Sequence, residues 1–144
     1  MKTVFALATV ANLAIAASAL AAPVTMTFKN ASTTTAMMVT NVNACGNFSP
    51  RPQNVAKGTT SSPSRTDCGP AASASHVTYT MGAKSCIFHI STIYTPPNVL
   101  LGTKGYWKPN ASTTASGRAT CKVVSQDISN VFTSGAFAAV YSMQ

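Results

Sequence analysis

His76 and His89 are the only side chains in this sequence whose ordinary titration falls near neutral pH. A pair of imidazoles can act as general base and general acid on a phosphodiester, and a basic chain suits such a substrate. Neither histidine has a distinctive motif around it. His89 lies in the apolar run Ile87-Phe88-His89-Ile90, and His76 opens an alternating segment, so both read first as strand residues. Acids are equally sparse: Asp67 and Asp127 are the only two, and glutamate is absent. That excludes paired-glutamate catalysis and an acidic calcium cage. A serine hydrolase would need a nucleophile elbow or a Gly-rich oxyanion loop, and neither occurs. No phosphate-binding loop or dinucleotide fingerprint is present either. The residues therefore assign no catalytic group and imply no cofactor. A secreted hydrolase or basic toxin using His76 and His89 stands as an alternative function.

Lys104-Gly105-Tyr106-Trp107-Lys108-Pro109 is the most suggestive segment for binding. It holds the chain's only Trp, beside a Tyr and between two lysines. Aromatic rings flanked by lysines suit acidic lipid head groups or a polyanionic glycan. Lys104, Tyr106, Trp107 and Lys108 are therefore the candidate ligand-binding residues. The competing reading makes Trp107 the inward anchor of a strand and Tyr106 its outward neighbour.

The 144 residues carry ten Lys and Arg against two Asp, a formal net charge of +8. The basic residues are dispersed, with no two adjacent. Dispersed charge supports attraction to acidic surfaces, not specific reading of nucleic acid.

The N-terminus predicts export. Met1-Lys2-Thr3 is a short positive start, and the uncharged, Ala-rich run Val4 to Leu20 follows. Ala19-Leu20-Ala21 places small residues where a signal peptidase reads, so cleavage is expected after Ala21. The run is too short, and too interrupted by Asn12, for a membrane span. A signal peptide at 1–21 and a single domain at 22–144 follow, secreted or periplasmic and not integral to a membrane. Asn30, Asn47 and Asn110 each open an N-x-S pattern, which would accept glycans only in a eukaryotic host.

In such a compartment Cys45, Cys68, Cys86 and Cys121 are expected as two disulfides. Three pairings are open. Cys45–Cys68 with Cys86–Cys121 is favoured, because the first closes a Pro/Ser-rich loop and the second joins two strand-like segments. Zinc is disfavoured, because no CxxC spacing exists and only His76 and His89 could assist the cysteines.

The elements that must position these groups repeat with a period of two. Val24, Met26 and Phe28 alternate with polar neighbours, as do Val77, Tyr79 and Met81. Cys86, Phe88 and Ile90 face one way within 85–95, Cys121 and Val123 alternate, and so do Phe137, Ala139, Tyr141 and Met143. Each is a half-buried strand signature. Ala36 to Val42 is an ambiguous further strand. Residues 46–52, 58–70, 96–98 and 110–117 read as connections rich in Gly, Pro, Ser and Thr, and 129–132 as a turn of helix. Strands at this spacing predict an all-β, antiparallel β-sandwich or small barrel stabilised by two disulfides.

Three elements carry a family resemblance: Asp67-Cys68-Gly69 ahead of the strand Val77–Met81, the aromatic-bearing strand Cys86–Tyr94, and Ser134-Gly135-Ala136 before the terminal strand. In these the chain resembles small exported β-sandwich proteins of the aegerolysin kind. The resemblance implies a sandwich and a lipid-binding activity, and it carries over no binding residue. The reading as a whole expects a secreted, non-catalytic interaction protein for an acidic lipid or glycan surface. A structural subunit of a surface assembly, pairing through exposed strand edges, is the further alternative.

Overall fold

Alternation becomes strand wherever one face can be buried. The computed structural model describes residues 22–144, and the expected signal peptide lies outside them. Eight strands and one short helix follow in the order β1 (Val24–Asn30), β2 (Met38–Ala44), β3 (Ser64–Thr66), β4 (Ala72–Met81), β5 (Lys84–Thr95), β6 (Tyr106–Ser116), β7 (Cys121–Asp127), α1 (Val131–Ser134) and β8 (Phe137–Met143). They form two four-stranded sheets, β3-β1-β8-β7 and β2-β4-β5-β6, stacked as a sandwich. All pairs are antiparallel except β1 with β8, which run parallel from Val24↔Phe137 to Asn30↔Met143. The all-β sandwich with two disulfides is therefore the observed fold, with one parallel pair inside it.

Two expectations are corrected. Residues 110–117 are not a connection: 106–116 form β6, paired along its whole length with β5 from Thr95↔Tyr106 to Ser85↔Ser116. β6 is an edge strand. There Pro109, which lacks a donor, is tolerated, and Ser and Thr suffice because only one face meets the core. The 58–70 segment likewise contains β3, which pairs with the start of β1.

Four aromatic rings, two from each sheet, form the centre of the core. Phe28 lies 4.8 Å from Tyr79 and 5.6 Å from Phe88, and Phe88 lies 5.0 Å from Tyr141. Full burial of each such side chain contributes on the order of 2–3 kcal/mol. The phenols are not left unpaired: Tyr141 Oη donates to the His89 carbonyl at 2.6 Å and Tyr79 Oη to that of Gln53 at 2.9 Å. Burial pushes both phenol pKa values well above the ordinary range. Asn30 is also fully buried, and its Nδ2 donates to the carbonyls of Thr35 and Val55 at 2.9 and 3.0 Å. It pins the β1–β2 connection, so this N-x-S pattern is closed to a glycan in the folded chain.

Each disulfide ties one sheet to the other, at opposite ends of the sandwich. Cys45 follows β2 and Cys68 follows β3, while Cys86 lies in β5 and Cys121 opens β7. Of the three pairings, the observed one is the one favoured from the sequence.

Three buried hydroxyls, on Thr66, Ser75 and Thr92, lack a hydrogen-bond partner among the described residues. Thr92 is fully buried on β5. A buried hydroxyl without a partner costs about 1 kcal/mol or more. Thr92→Val keeps the shape and the strand preference while removing that cost. The expected result is a gain of about 1 kcal/mol in urea unfolding and a rise of about 4 °C in the thermal midpoint.

Candidate functional site

A two-residue turn at Gly82-Ala83 joins β4 to β5 and sets their register, with Met81 opposite Lys84. Counting outward from it places His76 directly opposite His89. In paired antiparallel strands, opposite residues share a face. The two imidazole centroids are 5.5 Å apart on the outer face of the β2-β4-β5-β6 sheet. They sit in a shallow depression with Asn43, Ser91, Asn110 and Ser112. Partial burial, and secondarily the neighbouring His76, lowers the His89 pKa below its ordinary value.

The structure thus brings together the two groups of the hydrolase alternative. It supplies them with little else. No carboxylate and no lysine or arginine lines the depression, so neither an orienting acid nor a phosphate anchor is at hand. Asp67 forms an exposed pair with Arg65 at 3.6 Å, and the Asp127 pKa is lowered first by the Ser129 hydroxyl and then by the Ser129 backbone N–H, which donates to Asp127 at 2.9 Å. Among the described residues no three His, Cys, Asp or Glu side chains gather as a metal-ligand set.

The Lys104–Lys108 segment forms the start of β6, and strand geometry divides it. Tyr106 and Lys108 point outward, in line with Thr95 and Ile93 of β5. Trp107 points inward. It is half-buried, packs against the core, and its ring lies 5.1 Å from that of Tyr94. The Trp ring also covers Gly135, the left-handed residue that ends α1. A Cβ built on Gly135 would meet the indole at 2.6 Å, and its φ of 72° disfavours any side chain. Gly135→Ala is therefore expected to cost about 2 kcal/mol and to red-shift Trp107 emission as the ring is displaced. A stable variant with unchanged emission would show that Trp107 is not anchored there. Of the four candidate residues, Tyr106, Lys108 and Lys104 are exposed, and Trp107 serves as their support.

Beside them stands a feature that the sequence reading passed over. The β5–β6 connection carries Val99, Leu100 and Leu101, which are 89%, 97% and 75% exposed. Their positions are fixed by a small hydrogen-bonded hairpin. Asn98 and Thr103 exchange backbone hydrogen bonds at 3.1 Å, the Leu101 N–H donates to Asn98 Oδ1 at 3.2 Å, and Gly102 closes the turn at φ 64°. Pro96-Pro97 stiffens one stem. Ile93 and Tyr106 on the outer face below, and Phe132 on α1 beside the Trp107 support, extend the exposed apolar surface at this end. A run of three large aliphatics between Pro-Pro and Gly was the available signal.

The chain matches no protein-family model. It also has no significant match among curated proteins.

Proposed function

We propose that this is a non-catalytic, exported interaction protein that docks on lipid surfaces bearing anionic head groups, through the tip of its β5–β6 connection. The observation that carries the reading is the set of three consecutive, almost fully exposed aliphatic side chains, held out by an ordered turn and flanked by Tyr106, Lys104 and Lys108. Contiguous exposed apolar surface is costly in water, and it marks interaction sites. A convex tip suits penetration of a soft surface, whereas a rigid partner would be met by a groove or flat patch. Tyrosine suits the head-group layer, and lysines near an anionic membrane contribute about 1 kcal/mol each.

Two disulfides are in keeping with an oxidising compartment. Among the described residues no helix is long and apolar enough to cross a membrane. Attachment by the tip is therefore peripheral in this reading.

Co-sedimentation with vesicles tests it. The protein is expected to pellet with vesicles containing phosphatidylglycerol and to bind neutral phosphatidylcholine vesicles roughly 30-fold more weakly, as two lysines would give. Protein that stays in the supernatant with both, while binding a soluble sulfated glycan through Lys104 and Lys108, would overturn the reading in favour of a glycan-directed tip.

A further inference from the structure

The two ends of the sandwich differ in charge. The tip end holds both acids: Asp67 lies in the β3–β4 connection, and Asp127 ends β7 opposite the start of β8. The opposite end is formed by the β1–β2 connection, the β4–β5 and β6–β7 turns and the end of β8. Ser32, Thr33, Thr34, Met81, Lys84 and Gln144 line one shallow depression there. Lys84 lines it, and four further exposed cations, Lys29, Lys57, Arg118 and Lys122, belong to the strand ends and connections of that end. No acidic side chain lies at that end.

Register places two of them closely. Lys29 of β1 and Lys122 of β7 both stand opposite Ser142 of β8. Two strand spacings separate them, about 10 Å. Arg118 is presented at the apex of the β6–β7 turn, at a φ of 61°. Charges about a Debye length apart, roughly 10 Å at 0.1 M salt and less as salt rises, still reinforce one another.

We propose that this basic end is a second binding site, for a linear polyanionic glycan bearing sulfate or carboxylate groups. The chemistry distinguishes it from a site for single-stranded nucleic acid. Strand bases need exposed aromatic rings to stack on, and the exposed rings of the described chain, Tyr106 and Phe132, are at the other end. The hydroxyls of Ser32, Thr33 and Thr34 supply donors and acceptors suited to sugar hydroxyls and acidic oxygens. The site is independent of lipid docking. With the tip in a bilayer, the basic end points away from it, and the molecule would tether a polyanion to a membrane.

The experiment compares two charge reversals of equal size, on the whole protein without lipid. A fluorescent heparin oligosaccharide is titrated with the wild type, with Lys84→Glu/Lys122→Glu and with Lys104→Glu/Lys108→Glu. Anisotropy is read at low and physiological salt. Loss of at least tenfold in affinity for the first pair, with less than threefold for the second, supports the site. Lys84→Gln/Lys122→Gln provides the milder version should reversal disturb folding, and an intermediate loss is expected from it. Equal losses from both pairs would reduce the binding to net charge and overturn the proposal. Tighter binding of single-stranded DNA than of heparin through Lys84 and Lys122 would overturn it as well.

Discussion

Leu100→Ser/Leu101→Ser is expected to lower partitioning onto anionic vesicles by about 100-fold while leaving the fold intact. Each leucine moved from water into the acyl boundary contributes about 1.5 kcal/mol, and a loss of about 3 kcal/mol is roughly two decades in binding. The folded protein in water gains almost nothing from these side chains, because they are nearly fully exposed. The thermal midpoint should therefore stay within about 1 °C of wild type. Lys104→Gln/Lys108→Gln should act differently, removing the preference for anionic over neutral vesicles and leaving the residual binding insensitive to salt. A double serine variant that still pellets with vesicles would place the contact elsewhere on the surface.

Cys86→Ala/Cys121→Ala should destabilise the protein by about 4 kcal/mol, since this disulfide closes a 35-residue separation in the chain-entropy account. For a domain of this size that lowers the thermal midpoint by roughly 15 °C. The effect should be large because this bridge holds β5 of one sheet to β7 of the other. Cys86 is fully buried, so the alanine also leaves a small unfilled space. Removing Cys45–Cys68, with its shorter separation of 23, should cost slightly less, about 3.5 kcal/mol. Both effects are read by thermal unfolding followed by circular dichroism. A Cys86→Ala/Cys121→Ala variant that melts with the wild type would mean that core packing alone joins the two sheets.

Legibility followed burial. β1, β5 and β8 were readable because each is inside a sheet and buries every second side chain, as Phe28, Phe88 and Tyr141 show. β6 was hidden because it is an edge: Asn110, Ser112 and Thr114 face water, and only Trp107 and Ala111 mark the inner face with apolar side chains. Its pairing with β5 is a long-range fact, since backbone hydrogen bonds need no particular side chain. The parallel β1–β8 pair joins the two ends of the domain, which no local pattern can announce.

At the site, the same geometry explains both what was found and what was missed. Tyr106 and Trp107 are adjacent in a strand, so they had to point to opposite faces once 106–116 was strand. The histidine pair was recoverable from the sequence, because His76 and His89 are equidistant from the Gly82-Ala83 turn. The separation of apolar tip and basic end was not. It depends on which connections share an end of the sandwich, and hence on the order of the strands.

The most direct test of lipid docking is depth measurement at a single site. All four native cysteines are bridged, so a spin label can be placed selectively at Leu100→Cys and, for comparison, at Arg118→Cys on the opposite end. On anionic vesicles the label at position 100 should become accessible to oxygen and shielded from a nickel chelate, as expected below the phosphate level, while the label at position 118 stays aqueous. Labels that remain equally aqueous at both positions would contradict tip-first docking.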